Sequence, residues 1–177
     1  IAGAVLAAPA GDLRAIAPWA LGPTAGPASW RNDLYVATAW SEIYGIPLDT
    51  LVTPAMLPLA EATRERCDVQ PDAYPLRDGV TERADLVAFL DRNTPVGVPI
   101  AGPLLYLQGD ADEQIPVESA RATAAALCAA GTVVDYREYP GVNHAGSIYG
   151  GDRLAMAIDW MGDRFAGQAA IDTCAQG

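Results

Sequence analysis

Proline placement divides this chain of 177 residues into two regions. Twelve of the 14 prolines, and three of the four tryptophans, lie between Pro9 and Pro103. Proline has no backbone N–H and clashes with the preceding helical turn, so central strands and helix interiors exclude it. We therefore predict short helices and irregular loops in the proline-rich region, and a regular fold where prolines are scarce.

Beyond the proline-rich region the apolar pattern becomes regular. It predicts a buried strand at 104–108, an Ala-rich helix at 117–131, a strand at 132–140 and a helix at 147–165. The run IAGAVLAA at 1–8 is apolar without alternation, which is typical of strands buried on both faces of a parallel sheet. The strand–helix–strand order predicts an α/β fold with a parallel sheet and right-handed crossovers.

Two longer helices are predicted inside the proline-rich region. The first covers 32–45, with Asn32 or Asp33 near its N-cap and a glycine at its end. The second covers 81–93, with Thr81 as its N-cap. Serine, threonine, aspartate and asparagine accept hydrogen bonds from the free N–H groups of a first helical turn, which is why they indicate helix starts.

The charge balance excludes two classes of partner. The chain carries 22 acidic and 11 basic residues, for a formal net charge of −11. Nucleic acids and anionic membrane surfaces are bound through basic patches, so we expect neither as a partner. The chain begins at Ile1, without Met and within a predicted strand, and we expect that further sequence precedes it.

The three cysteines, Cys67, Cys128 and Cys174, leave two alternatives open. In an oxidising compartment they would form one internal disulfide and leave one thiol for another partner; otherwise all three are reduced and buried. Their spacing matches no zinc motif, and the chain has a single histidine. We therefore expect no metal site and no cofactor.

Candidate catalytic side chains follow two neighbouring strands. Asp110 and Asp112 come after the strand at 104–108, and His144 follows the strand at 132–140. The carboxyl ends of parallel strands meet at one edge of a sheet, where functional groups collect. A histidine that acts as a base needs a carboxylate beside Nδ1. The pattern predicts such a pair, and the alternative is a loop histidine bonded to local backbone.

These residues resemble the C-terminal half of an α/β-hydrolase, and more narrowly the secretory lipase family. The resemblance rests on residues 103–147 and is carried by GDADEQIP at Gly109–Pro116, by Cys128 near the end of the next helix, and by Tyr139, Pro140 and His144. The run IAGAVLAAPAGDL is similar to the strand after the nucleophile turn in that family. Residues 12–95 resemble its cap insertion only in length and character.

The resemblance implies a fold and an activity. The fold is α/β, the C-terminal portion of an α/β-hydrolase, with residues 1–11 and 96–177 in the core and residues 12–95 as a helical, proline-rich cap. The activity is carboxylic ester hydrolysis by a lipase that acts on triacylglycerols or related lipid esters. The alternatives are another serine hydrolase or an acyltransferase on this fold, and an inactive, truncated binding or structural module.

The same resemblance assigns roles at the candidate site. Its chain order is serine, aspartate, histidine, so Asp112 is the expected acid and His144 the expected base. Asp110 is the alternative acid, and Glu113 is expected to be a solvated neighbour.

The sequence offers no candidate for the nucleophilic serine of such a triad. The chain has no G-x-S-x-G, and none of its serines follows a strand on a glycine-flanked turn: they are Ser29, Ser41, Ser119 and Ser147. We expect the nucleophile and the oxyanion donors in a preceding N-terminal part, and we expect the 177-residue chain alone to be inactive. Strand 1–8 would then be an open edge, covered by that N-terminal fragment or by a second chain.

The resemblance also bears on the cysteines, the location and the substrate. It implies a secreted protein with a Cys128–Cys174 disulfide, and it leaves Cys67 for a cysteine in the missing part. An apolar wall for acyl chains is predicted in the cap, where the alternative is that the same residues only form its core. The candidates are Trp19, Trp30, Trp40, Met56 and Leu57, together with Leu51, Val52 and Leu59.

Overall fold

The structure is a computed structural model that describes residues 1–176 and contains two compact units. The sheet unit combines residues 1–16 with the chain from Asn93 onward, and the helical unit consists of residues 17–92. The sequence predicted a core at 1–11 and 96–177 with an insertion at 12–95, and this assignment of domains stays a prediction. That the helical unit acts as a cap stays a prediction.

Three parallel strands form the sheet, in the order β1-β2-β3. They are β1 (Ala4–Ala7), β2 (Leu104–Gly109) and β3 (Val134–Tyr139). Parallel pairing confirms the predicted α/β class. Gly109, the last residue of β2, lies opposite Tyr139, the last residue of β3, so both strands end at the same edge.

The helices of the sheet unit follow the strands. Helix α5 (Val117–Ala129) follows β2, while α6 (Gly146–Tyr149) and α7 (Arg153–Phe165) follow β3. The prediction of one helix over 147–165 is wrong, because the chain breaks at two glycines. The extended backbone of Gly150 ends α6, and Gly151 has φ +55°, a left-handed conformation that lets α7 begin in a new direction.

Alternate residues of β2 enter two separate cores. Leu104 and Tyr106 pack on one face with Ala120 and Leu127 of α5. Leu105 and Leu107 pack on the other face with Ala157 and Trp160 of α7. All six residues of β2 are buried, which explains the unbroken apolar run in its sequence.

Helix α7 buries a different face from the one its apolar spacing suggests. Leu154, Ile158 and Met161 recur at helical spacing, yet they are 45%, 54% and 39% exposed. Ala157 and Trp160 make the contact with the sheet instead. The sheet unit therefore carries an apolar stripe on its surface.

The outer edge of β3 is covered by the end of the chain. The N–H of Thr173 donates to the Val134 carbonyl at 2.8 Å, and the Thr173 hydroxyl accepts from the Tyr136 N–H at 3.0 Å. A disulfide joins Cys128 to Cys174, the pairing that the resemblance implied. It closes a loop of 46 residues, which in the chain-entropy account is worth about 4 kcal/mol. Cys67 is free and exposed.

The proline-rich region contains four α-helices joined by 3-10 turns. The α-helices are α1 (Leu13–Ala20), α2 (Pro27–Tyr44), α3 (Leu57–Ala62) and α4 (Ala84–Arg92). Prolines occupy the first turns of α2 and α3, where a helix needs no backbone donor, and Pro18 lies inside α1.

Two predicted helix starts are wrong. Helix α2 begins at Pro27, so Asn32 and Asp33 lie inside it and not at its N-cap. Helix α4 begins at Ala84, because Thr81 lies in the preceding 3-10 turn, Val80–Glu82. In both cases the residue type is typical of N-caps, but the helix begins elsewhere: before Asn32 and Asp33 in α2, and after Thr81 in α4.

Asp33 is buried next to the apolar core of the helical unit. The residue is 1% exposed, and neither carboxylate oxygen has a hydrogen-bond partner among the described residues. Its sequence neighbour Leu34 belongs to the core cluster that also contains Leu51, Val52 and Leu76. Burial disfavours the charged form and raises the pKa of Asp33 to about 7.

Asp33 is expected to make stability depend on pH. The folded chain keeps the proton of Asp33 up to about pH 7, whereas the unfolded chain releases it near pH 4. Between these values the folded state binds more protons, so the free energy of unfolding falls as pH rises, by on the order of 4 kcal/mol in total. Urea unfolding from pH 4 to 8 should therefore show Asp33→Asn gaining stability over wild type as pH rises.

The exposed Asp72 provides a matched control, since Asp72→Asn removes the same charge. Its unfolding free energy should run parallel to that of wild type over this pH range. Parallel curves for Asp33→Asn would contradict the prediction.

Candidate active site

The loops after β2 and β3 are held together by backbone contacts at the carboxyl edge of the sheet. The N–H of Asp110 donates to the Tyr139 carbonyl at 3.2 Å, and the N–H of Ala111 donates to the Val142 carbonyl at 3.1 Å. A Cβ at Gly109 would collide with the Val142 carbonyl, so only glycine permits this close approach.

This approach brings Asp112 and His144 into direct contact. Nδ1 of the imidazole lies 3.0 Å from Oδ2 and 3.2 Å from Oδ1 of the carboxylate. The Asp112 side chain is fully buried, whereas that of His144 is 30% exposed. The carboxylate is thus shielded from water while the imidazole remains reachable.

Three further donors orient the Asp112 carboxylate. Oδ1 accepts from the N–H groups of Gln114 and Ile115, each at 2.8 Å. Oδ2 accepts from Nε2 of Gln108 at 3.0 Å. With His144 as the fourth donor, every partner of this carboxylate is a donor, which is what an ionised acid requires.

The contact selects one tautomer of His144. A carboxylate can only accept, so the proton of a neutral imidazole belongs on Nδ1, and Nε2 keeps its lone pair. An imidazole in this state can take a proton through Nε2 while Nδ1 stays bound to the acid. The arrangement is therefore capable of general-base chemistry.

The other two carboxylates of the β2 loop bind the histidine loop through its backbone. Oδ1 of Asp110 accepts from the Gly141 N–H at 2.6 Å, and Oε2 of Glu113 accepts from the His144 N–H at 3.2 Å. The structure thus brings Asp112, and not the alternative Asp110, to the imidazole. Glu113 is exposed, yet it supports the backbone of His144.

Sequence reasoning missed several residues that support the histidine loop. The buried Ser147 hydroxyl accepts from the Gly109 N–H at 3.1 Å. Oδ1 of Asn143 accepts from the Gly146 N–H at 2.9 Å, and Nε of Arg153 donates to the Gly146 carbonyl at 2.5 Å. Asparagine often accepts from a backbone N–H a few residues on in a turn, so Asn143 in a glycine-rich loop is a signal that could have been read from the sequence.

The residues predicted to contact substrate lie within the proline-rich region. Trp40, Met56 and Leu57 pack in or against the core of the helical unit. Trp30 packs edge-on against Tyr74, with ring centroids 6.4 Å apart, and Trp19 is half-buried on α1. Their packing fits the role of core residues; contact with a lipid stays a prediction.

The serines do not complete the pair with His144. Ser29 and Ser41 lie inside α2, Ser119 lies in the first turn of α5, and the Ser147 hydroxyl bonds Gly109. Within residues 1–176 the imidazole hydrogen-bonds only Asp112.

The described residues contain neither a metal-binding cluster nor a membrane-spanning helix. Across residues 1–176, no cluster of His, Cys, Asp and Glu could hold a metal ion. In the same part of the chain, no helix combines the length and apolar character needed to cross a bilayer.

A parallel sheet that carries a buried carboxylate and an imidazole at its carboxyl edge defines an α/β protein with a potential acid–base pair. Residues 87–173, which include both side chains, match the model of the family described as secretory lipase. This match confirms the resemblance to the secretory lipase family over this part of the chain. A comparison with curated proteins gives no match. The family and the disulfide together indicate an extracellular protein.

Because His144 is the only histidine, its nitrogen resonances can be assigned without ambiguity. Nitrogen-15 NMR of the neutral imidazole should show the Nδ1–H form, since Asp112 accepts that proton. Asp112→Asn should shift the population toward Nε2–H, because an amide group can also donate to Nδ1.

Asp110→Asn is the control for this measurement, because its amide oxygen can still accept from Gly141. It should leave the tautomer of His144 unchanged. If Asp110→Asn changed the tautomer and Asp112→Asn did not, the assignment of Asp112 as the partner would be wrong.

Proposed function

We propose that this chain supplies the acid and the base of a serine ester hydrolase of the lipase type. The observation that carries the proposal is the hydrogen bond from Nδ1 of His144 to the buried Asp112 carboxylate. It lies within the segment that matches the secretory lipase family. The chain is accordingly the C-terminal portion of an α/β-hydrolase.

In the proposed mechanism, His144 moves one proton in each half-reaction. Nε2 takes the proton of a serine hydroxyl as the serine oxygen attacks the ester carbonyl, and then gives this proton to the leaving alcohol. Water, activated by the same nitrogen, releases the acid from the acyl-enzyme. Asp112 holds the imidazole in place and stabilises the imidazolium that forms in each step.

The serine has to come from a polypeptide segment other than residues 1–177. Strand β1 pairs only with β2 in the described sheet, so its outer edge can accept another strand. We propose that an N-terminal fragment or a second chain adds a strand here and carries the serine and the oxyanion donors. Cys67, which is free and exposed, could form a bridge to that segment.

The proposed substrates are lipid esters such as triacylglycerols. Support comes from the family match. A wall for acyl chains in the predicted cap is part of the same proposal. The exposed side of the imidazole remains the place where the ester must react. Secretion agrees with this role, because a lipase that meets bulk lipid works outside the cell.

Two alternatives use the same observations. The Asp112–His144 pair would serve equally in peptide hydrolysis or acyl transfer, because fold and dyad do not determine the acyl acceptor. The absence of G-x-S-x-G favours an inactive binding or structural module for the chain in isolation. Once a serine-bearing segment is present, a peptidase or acyltransferase would prefer other acyl acceptors or substrates, and an inactive module would show no turnover.

The activity of the complete enzyme should depend on His144. Loss of the base from a serine triad costs about 10⁴-fold or more in kcat, so His144→Ala should reduce p-nitrophenyl ester hydrolysis by that order. Asp110→Asn, the control, should stay close to wild type. His144→Ala activity within about tenfold of wild type would refute the assignment of the base.

The open edge of β1 should determine whether a serine-bearing segment binds. The isolated chain should not react with a fluorophosphonate probe, and labelling should appear on an added N-terminal segment when the two are mixed. The N–H groups of Ala4 and Ala8 bond the carbonyls of Pro103 and Leu107, so the alternation along a strand directs the Val5 N–H to the outer edge. A Pro substitution at Val5 would remove that backbone donor. Val5→Pro should therefore abolish labelling of the mixture, whereas labelling of the isolated chain would contradict the need for a second segment.

A further inference from the structure

Gln108 is a buried polar residue in a strand that is otherwise apolar, apart from its final glycine and the buried Tyr106. It lies next to last in β2 and is completely buried, where an amide loses its contacts with water. An uncompensated amide in such a place costs stability, so a leucine or methionine would fit a buried strand better. The position of this amide therefore needs a reason beyond packing.

The amide nitrogen of Gln108 bonds the turn that carries the acid. Nε2 lies 3.0 Å from Oδ2 of Asp112, 3.1 Å from the Gly109 carbonyl and 3.2 Å from the Ile115 carbonyl. Two N–H groups serve three oxygens, so one of these bonds is shared. Oε1 has no partner among the described residues, so the side chain acts here only as a donor.

The carboxylate of Asp112 depends on this donor for its orientation. Oδ1 is fixed by two backbone N–H groups, whereas Oδ2 receives only Gln108 and His144. Without the amide, no group other than the imidazole itself would hold Oδ2. The plane of the carboxylate, and hence the direction in which it accepts from Nδ1, would then be free to vary.

We propose that Gln108 is a positioning residue that acts on His144 through Asp112. Its amide fixes the plane of the carboxylate, and the carboxylate in turn selects the Nδ1–H tautomer and the ring orientation of the base. The catalytic part of this inference rests on the proposed function. The structural part, from Gln108 to the tautomer of His144, does not depend on it.

The test is nitrogen-15 and proton NMR of His144 in the isolated chain, which needs neither a serine nor turnover. Gln108→Met keeps the length and removes the donors, and Gln108→Leu removes them with a shorter apolar side chain. We expect both variants to lose Nδ1–H tautomer population, by about twofold or more, and to exchange the Nδ1 proton faster.

Thr38→Val is the control for a general loss of stability. Thr38 is buried in the helical unit and donates to the carbonyls of Leu34, at 2.9 Å, and Ala60, at 3.2 Å. Its removal should lower stability and leave the tautomer unchanged. A wild-type tautomer in folded Gln108→Met and Gln108→Leu would overturn the proposal, and so would failure of both variants to fold, since the amide would then serve folding alone.

In the complete enzyme, Gln108→Met should lower kcat, by up to about a hundredfold, with little change in KM. An altered tautomer together with unchanged turnover would confirm the structural step and contradict the proposed role of the dyad. An unchanged tautomer together with lost turnover would contradict the positioning role and leave the proposed function intact.

Discussion

The parallel pairing of β2 with β3 is the interaction on which the rest of the site depends. Six residue pairs are in register from Leu104 opposite Val134 to Gly109 opposite Tyr139. The two strands consequently end together, and the loops that follow them begin side by side. A shift of one residue in this register would separate the carboxylate of Asp112 from the imidazole of His144.

The loops are then tied together by polar contacts that come from one short sequence, GDADE. Each of its three acidic side chains accepts from a different group of the histidine loop: the Gly141 N–H, Nδ1 of His144 and the His144 N–H. Only Asp112 is buried among them. The same sequence therefore provides both the partner of the imidazole and the supports of its backbone. The buried aspartate binds the imidazole, and the two exposed carboxylates bind backbone N–H groups.

Much of this arrangement could be predicted from the sequence because it is local or follows the period of the strands. The strand at β2, the helix after it, and the approach of an aspartate of the β2 loop to His144 follow from apolar runs and from the rule that parallel strands end at one edge. The choice of Asp112 over Asp110 came from the family resemblance. The Cys128–Cys174 pairing came from family resemblance, since spacing alone left it open.

The failures also have physical causes. The apolar spacing of Leu154, Ile158 and Met161 indicates one face of a helix, but it cannot say whether the sheet meets that face or the one with Trp160. Asp33 has the chemistry of an N-cap and nevertheless lies inside α2, because burial there is decided by tertiary packing. The support from Ser147 and Gln108 was missed because their partners are backbone groups and a carboxylate that only the folded loops bring near.

The two edges of the sheet differ in a way that limits how the protein can associate. The tail around Thr173 and the disulfide to Cys174 close the edge at β3, while β1 has no such cover within residues 1–176. A chain with two free edges can add neighbours on both sides and grow into a fibre. A chain with one can accept a single neighbour, so pairing through this sheet ends with the first strand that is added.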